Sequence, residues 1–267
     1  MQQLDLFLHV PAPAENPPSY EVPRPVIGPD GTEDEELLAA LPHAGLAESV
    51  ALAAEAGRRR MTAAVPALEA LCARFSGFGA DRIVPEQGAA IDALAQIAGA
   101  DAAQALARLI ARRTVQGPGL QRAVGAAARL GAKLPGGTVM ELLRHDDPTI
   151  RADACRFAQA SRDMIAQLRD LLEDLQRPVR MAAACALALM GRNEVRPLLT
   201  RYLREEPSSE LIDAVSAIAD EECVILLGRI ARTLPDLSQA ALDALGSIDH
   251  PRALRIAAEI GVSSNNG

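Results

Sequence analysis

The chain has 267 residues, 49% of them apolar, yet only four Phe, two Tyr and no Trp. Ala and Leu must therefore fill the core, which favours short, closely approaching helices and disfavours a sheet of aromatic and β-branched residues. The net charge of −8 is uneven: residues 1–57 hold ten acidic side chains against Arg24 alone, and the remainder carries 26 basic and 25 acidic groups. So neutral a body argues against a general grip on a nucleic-acid backbone. No apolar run nears the roughly twenty residues of a membrane span, and no basic-then-apolar leader opens the chain, so the expectation is a soluble cytoplasmic protein.

The first element in chain order is Gln3-Leu4-Asp5-Leu6-Phe7, three apolar side chains ahead of a proline-dense stretch. It resembles the peptide with which bacterial polymerases and repair proteins dock on the DNA sliding clamp, and all five positions fit that pattern. The resemblance implies a Gln amide in a small polar pocket and Leu6 with Phe7 as apolar anchors, with Leu4 and Asp5 setting an extended approach. Two other roles stay open, a cap on the first helices and docking on a different partner. Pro11, Pro13, Pro17, Pro18, Pro23, Pro25 and Pro29 follow, so residues 1–30 are read as an extended or disordered tail. Thr32 with Glu35 three positions on suggests a capping box and the start of the folded body, assigned to residues 31–261. Residues 262–267 are expected to fray.

Within the body an alanine-rich amphipathic helix and a second apolar helix recur. The positions taken to end the first helix are Gly57, Gly99, Gly131, Ser161, Gly191, Asp220 and Asp249, separated by 42, 32, 30, 30, 29 and 29 residues. The second helices are marked by apolar residues at helical spacing, from Val65, Leu68 and Leu71 through Leu106, Leu109 and Ile110 to Leu254, Ile256 and Ile260. This regularity predicts an all-α solenoid of about seven stacked antiparallel helix pairs. The long first interval places an insertion at Ser76–Gln87, flanked by Phe75 and Phe78, either a displayed contact loop or one tucked over the core by its own aromatics.

Asp174-x-x-x-Pro178-Val179-Arg180-x-x-Ala183-Ala184 and, one unit earlier, Asp146-Asp-Pro-Thr-Ile-Arg151 resemble the HEAT-repeat superfamily, nearest to its short-unit, PBS-lyase-like branch. An Asp can cap the coming helix, Pro suits its first turn, Val or Ile plugs the seam between units, and Arg151 and Arg180 are expected to bridge neighbours. The resemblance implies a protein-interaction scaffold. Bilin lyases and HEAT-like DNA glycosylases share the scaffold. No further motif here points to a chromophore, and the neutral, Trp-free body departs from the glycosylase pattern.

No catalytic, cofactor or metal residue emerges. Cys72, Cys155, Cys185 and Cys223 lack metal-ligand spacing and read as small buried hydrophobes. His9, His43, His145 and His250 are scattered, and Asp146-Asp147 beside His145 reads as a helix start. Gly136-Gly137 and Gly77-Phe-Gly79 read as turns, since the Lys-Ser or Lys-Thr of a phosphate loop is missing. Arginines dominate the basic residues. An inter-repeat lacing accounts for most of them, and Arg58–Arg60 and Arg112-Arg113 stand where helix carboxyl ends favour cations; a nucleic-acid or acidic-partner edge is the alternative if these align with Arg144, Arg177 and Arg204.

Overall fold

The computed structural model describes residues 33–76 and 78–264. The peptide Gln3–Phe7, the proline-rich stretch, Thr32, Gly77 and residues 265–267 lie outside the described residues. A short helix α1 (Asp34–Ala40) leads into seven pairs: α2 (Leu46–Arg58) with α3 (Val65–Arg74), α4 (Pro85–Ile97) with α5 (Gly99–Ala111), and α6 (Gly117–Arg129) with α7 (Gly136–Leu143). Next come α8 (Pro148–Ala154) with α9 (Arg162–Asp170), α10 (Arg177–Leu189) with α11 (Arg196–Glu205), α12 (Ser209–Ser216) with α13 (Glu221–Thr233), and α14 (Pro235–Ser247) with α15 (Pro251–Ser264). No strand occurs among the described residues.

Successive first helices, α2, α4, α6, α8, α10, α12 and α14, pack on one another, and second helices pack in their own layer, as α3 does on α5 and α13 on α15. This is an all-α solenoid. Small residues set the spacing of the first layer: a Cβ added to Gly57 would stand 2.8 Å from the Ala93 Cα, so α2 and α4 touch nearly backbone to backbone. Ala53, Ala56, Ala90, Ala123, Ala126, Ala183 and Ala184 are all buried there, while Leu68, Leu94, Leu106, Leu143 and Leu168 fill the space between layers. Leu37 and Leu41, around the end of α1, are fully buried and cover the open end of the first pair. Each such leucine stabilises the fold by about 1.5–3 kcal/mol relative to exposure.

Helix starts follow the expected chemistry. Pro85, Pro148, Pro235 and Pro251 each open a helix, where a missing N–H leaves nothing unsatisfied. Helix ends divide into two kinds. Gly131 (φ 64) and Gly191 (φ 73) end α6 and α10 in left-handed turns, in which Gly191 N–H donates to the Ala188 carbonyl and Arg192 N–H to the Leu187 carbonyl. The same turn follows α2 and α5, but there Arg60 and Arg113, both at φ 54, take the position that suits glycine.

Several local expectations shift. Ser161 and Asp220 do not end helices but begin the second ones, accepting from the Met164 and Cys223 N–H groups. Gly99 (φ 80) opens α5, and Gly57 lies inside α2. These residues still mark the turn within each pair, so the period survives while the roles differ. Glu33, not Thr32, is the N-cap of α1, and no side chain caps it. Gly136 and Gly137 form the first turn of α7 rather than a loop, and α15 continues to Ser264, past the expected boundary at 261.

Candidate functional site

The surface is organised by arginine. Arg108 of α5 clasps Glu69 of α3 with Nη2 2.6 Å from Oε2, Arg122 of α6 reaches Asp92 of α4 at 2.9 Å, and Arg169 of α9 reaches Glu194 at 2.6 Å. Arg156 spans two units to Glu210 at 2.8 Å, and Arg204 pairs with Glu222. Each joins a residue of one pair to a residue of a later one, so the lacing expected from composition is present. Most of these pairs are substantially exposed, and a pair of that kind contributes about 0–1 kcal/mol. Their larger effect is to neutralise the surface.

The arginines proposed as one charged edge are thereby separated. Arg58 and Arg59 both donate to Glu55, whose carboxyl these hydrogen bonds hold down to about 2, and Arg59 also reaches Asp34 at 2.9 Å. That run ends α2, at a turn within a pair. Arg112, Arg113 and Arg144 follow second helices, at turns between pairs, where Arg113 faces Glu141 at 2.9 Å and Arg144 donates to Gln167. Arg177 divides its guanidinium between Glu205 and Glu206. No continuous row of unpaired cations results.

The least exposed pair lies between the fourth and fifth units. Arg151 in α8 donates through Nη1 to the carbonyls of His145 and Asp146 in its own leading turn, and through Nε and Nη2 to Asp174 at 2.9 and 3.1 Å. Their side chains are 16% and 9% exposed. Burial alone would raise the Asp174 carboxyl, but the Arg151 hydrogen bonds and the Gln176 N–H outweigh it and hold the group below the usual carboxylate range. One unit on, Arg180 makes the same two carbonyl contacts, to Asp174 and Leu175, and fastens its own turn rather than the next unit. Ile150 and Val179 beside them are buried in the seam as expected. Asp147 caps α8 through the Thr149 N–H, whereas Asp174 accepts from the N–H of Gln176, the residue immediately ahead of α10.

The insertion occupies residues 75–84, slightly shorter than expected, because Pro85-Glu86-Gln87 already belong to α4. Gln87 is 2% exposed, and its amide donates to the carbonyls of Cys72 and Phe75 at 3.0 and 3.1 Å, with Thr114 at 3.4 Å. One side chain thus ties the end of α3 to the turn after α5. At Gly117 (φ 49) an added Cβ would lie 2.1 Å from the Ala80 carbonyl oxygen, so the inserted loop rests directly on that turn. Phe75 packs against the core, while Phe78 and Ile83 stay 58% exposed. The loop is therefore tucked at its base and open at its tip. Beyond the turn lies a cavity of about 290 Å³, walled by Ile110, Val115, Leu120 and Leu142, with Arg113, Gln116, Thr138, Glu141 and His145 around them.

Residues 138–219 match the family model of HEAT repeats. The matched HEAT stretch runs from α7 to just beyond α12 and contains the Arg151–Asp174 seam. No curated protein matches the chain at a significant level. HEAT repeats are in general protein-interaction scaffolds, and that coarse reading applies to this stretch.

The remaining candidates sort by burial. Cys72, Cys155, Cys185 and Cys223 are all buried, and burial pushes the first three thiols up to about 12, where the reactive thiolate is scarce. Among the described residues no group of His, Cys, Asp and Glu is arranged to hold a metal ion. His145 and His250 each accept a backbone N–H through Nδ1, from Asp147 and Arg252, which makes them turn-forming residues. No helix among the described residues is long and apolar enough to cross a membrane. Sequence reasoning overlooked Gln87 as an organiser, because Pro85-Glu86-Gln87 reads as an ordinary polar first turn of a helix.

Proposed function

We propose that the chain is a non-enzymatic scaffold of the bacterial cytoplasm that serves DNA replication or repair. It docks on the sliding clamp through Gln3, Leu4, Asp5, Leu6 and Phe7 while the helical stack holds a second protein. The observation that supports a scaffold is the run of stacked helix pairs with its HEAT match, a surface extended over many units and laced by neutralising ion pairs. What supports the clamp is the five-position fit of the peptide and its place before a proline-rich tether. Nucleic acid is the less favoured partner, because Arg58, Arg59, Arg113, Arg177 and Arg204, which would grip phosphate, already face carboxylates. The test is binding of the full chain to purified clamp against the double substitution Leu6→Ala, Phe7→Ala. Loss of binding in that variant alone supports the reading, and equal binding by both chains overturns it. Salt-dependent DNA binding by the same proteins would instead select the nucleic-acid reading.

A further inference from the structure

The cavity behind the insertion is pre-formed. Its apolar walls come from Ile110, Val115, Leu120 and Leu142, contributed by three different helices and the turn between α5 and α6. The turn is held from behind by the Gln87 amide on Thr114 and by the Ala80 carbonyl against Gly117. At about 290 Å³ it sits at the lower end of small-molecule pockets and suits one or two apolar side chains of a peptide. Its polar rim is formed by Arg113 paired with Glu141 at 2.9 Å, beside Gln116, Thr138 and His145.

We infer that this cavity seats the chain's own Leu4–Phe7 segment, with Leu6 and Phe7 as the buried anchors. The segment supplies Leu4, Leu6 and Phe7, apolar side chains for which the helical repeat has no register and which match the apolar walls of the cavity. The reach is sufficient: residues 8–33 are 26 residues, and at ~3.1 Å per residue a Pro-rich stretch covers up to about 80 Å. The cavity lies at the second and third pairs, so at 8–10 Å per stacked helix it stands roughly 20–30 Å from α1. Tethering raises the local peptide concentration to about millimolar, so even a weak contact is well populated. The same side chains cannot fill this cavity and a partner's groove together, and a partner must displace them. The inference does not depend on which partner that is.

Disulfide trapping in the full chain tests it, without any clamp present. One chain carries His9→Cys with Gln116→Cys, at the cavity, and another carries His9→Cys with Lys133→Cys, at the far end of α6. The native thiols are buried and take little part in exchange. Circular dichroism verifies that both chains are folded. The expected result is intramolecular crosslinking about tenfold faster at Gln116→Cys, with the two rates converging once Leu6→Ser and Phe7→Ser are added. Equal rates in the first two chains overturn the inference, as does a Gln116→Cys advantage that survives loss of the anchors. Crosslinks predominantly between chains also overturn it and make a second copy the occupant. Whether the chain binds the clamp is decided by its own separate measurement, so failure of the two readings is distinguishable.

Discussion

Substituting Asp174→Asn isolates the electrostatic part of the seam between the fourth and fifth units. The Asn oxygen can keep the bond from the Gln176 N–H, so the turn ahead of α10 survives, but an amide NH2 then meets the Arg151 Nε that Oδ2 accepted from at 2.9 Å. Breaking a buried ion pair from one side costs about 3–5 kcal/mol. Here Arg151 retains two carbonyl acceptors and is 16% exposed, which reduces the expected loss to about 2–3 kcal/mol. Urea denaturation at neutral pH measures it. Because neighbouring units couple mainly to each other, amide exchange should rise most in α8, α9 and the start of α10. The pH dependence has a definite sign. A carboxyl held below its unfolded value contributes fully above that value and loses the contribution as pH falls through the folded one. The difference between the two chains should therefore be constant above about pH 5 and shrink below about pH 4. An Asn chain within about 0.5 kcal/mol of the parent, or a gap unchanged at about pH 3, would refute the assignment.

Other perturbations probe the turns and the insertion. Arg60→Gly relieves a left-handed arginine and should raise stability by about 0.5–1 kcal/mol, whereas Gly191→Ala at φ 73 should lower it by about 1 kcal/mol, both read from thermal midpoints. Gln87→Leu strands carbonyls at the end of α3 and should cost about 2–3 kcal/mol. Limited proteolysis would localise that effect to residues 75–84, and an unchanged digestion pattern would contradict the tie. Gly117→Ala meets both a positive φ and the Ala80 carbonyl, so it should loosen the same loop, seen as faster amide exchange there. Finally, a thiol reagent at about pH 8 should label the native chain far more slowly than the urea-unfolded one, because burial suppresses the thiolates.

Much of the fold was legible because a solenoid repeats its constraints. The buried Val179 and Ile150 occupy one place in successive units, and Pro148 and Pro178 open successive first helices, so one well-read copy explains the next. The roles of the marker residues were less legible, since a turn between helices can be closed from either side. A glycine ends the first helix at 131 and 191, while Ser161 and Asp220 begin the second, and spacing alone treats them as equivalent. Arg60 and Arg113 show a further limit: in sequence they read as cations near a helix carboxyl end, which conceals the left-handed backbone they adopt. The cavity could not be read at all. Ile110 and Leu142 look like any other apolar residue of a second helix, and what makes them walls is the course of the Val115–Gly117 turn, held by Gln87 and the Ala80 carbonyl. A linear peptide such as Gln3–Phe7 keeps its recognition chemistry in five consecutive side chains. A solenoid surface distributes its chemistry over units about thirty residues apart, so the sites it forms are decided by departures from the repeat. In this chain the inserted loop rests on the Gly117 turn that also borders the cavity, so the departure and the cavity are neighbours, and that is the reason to look for an occupant there.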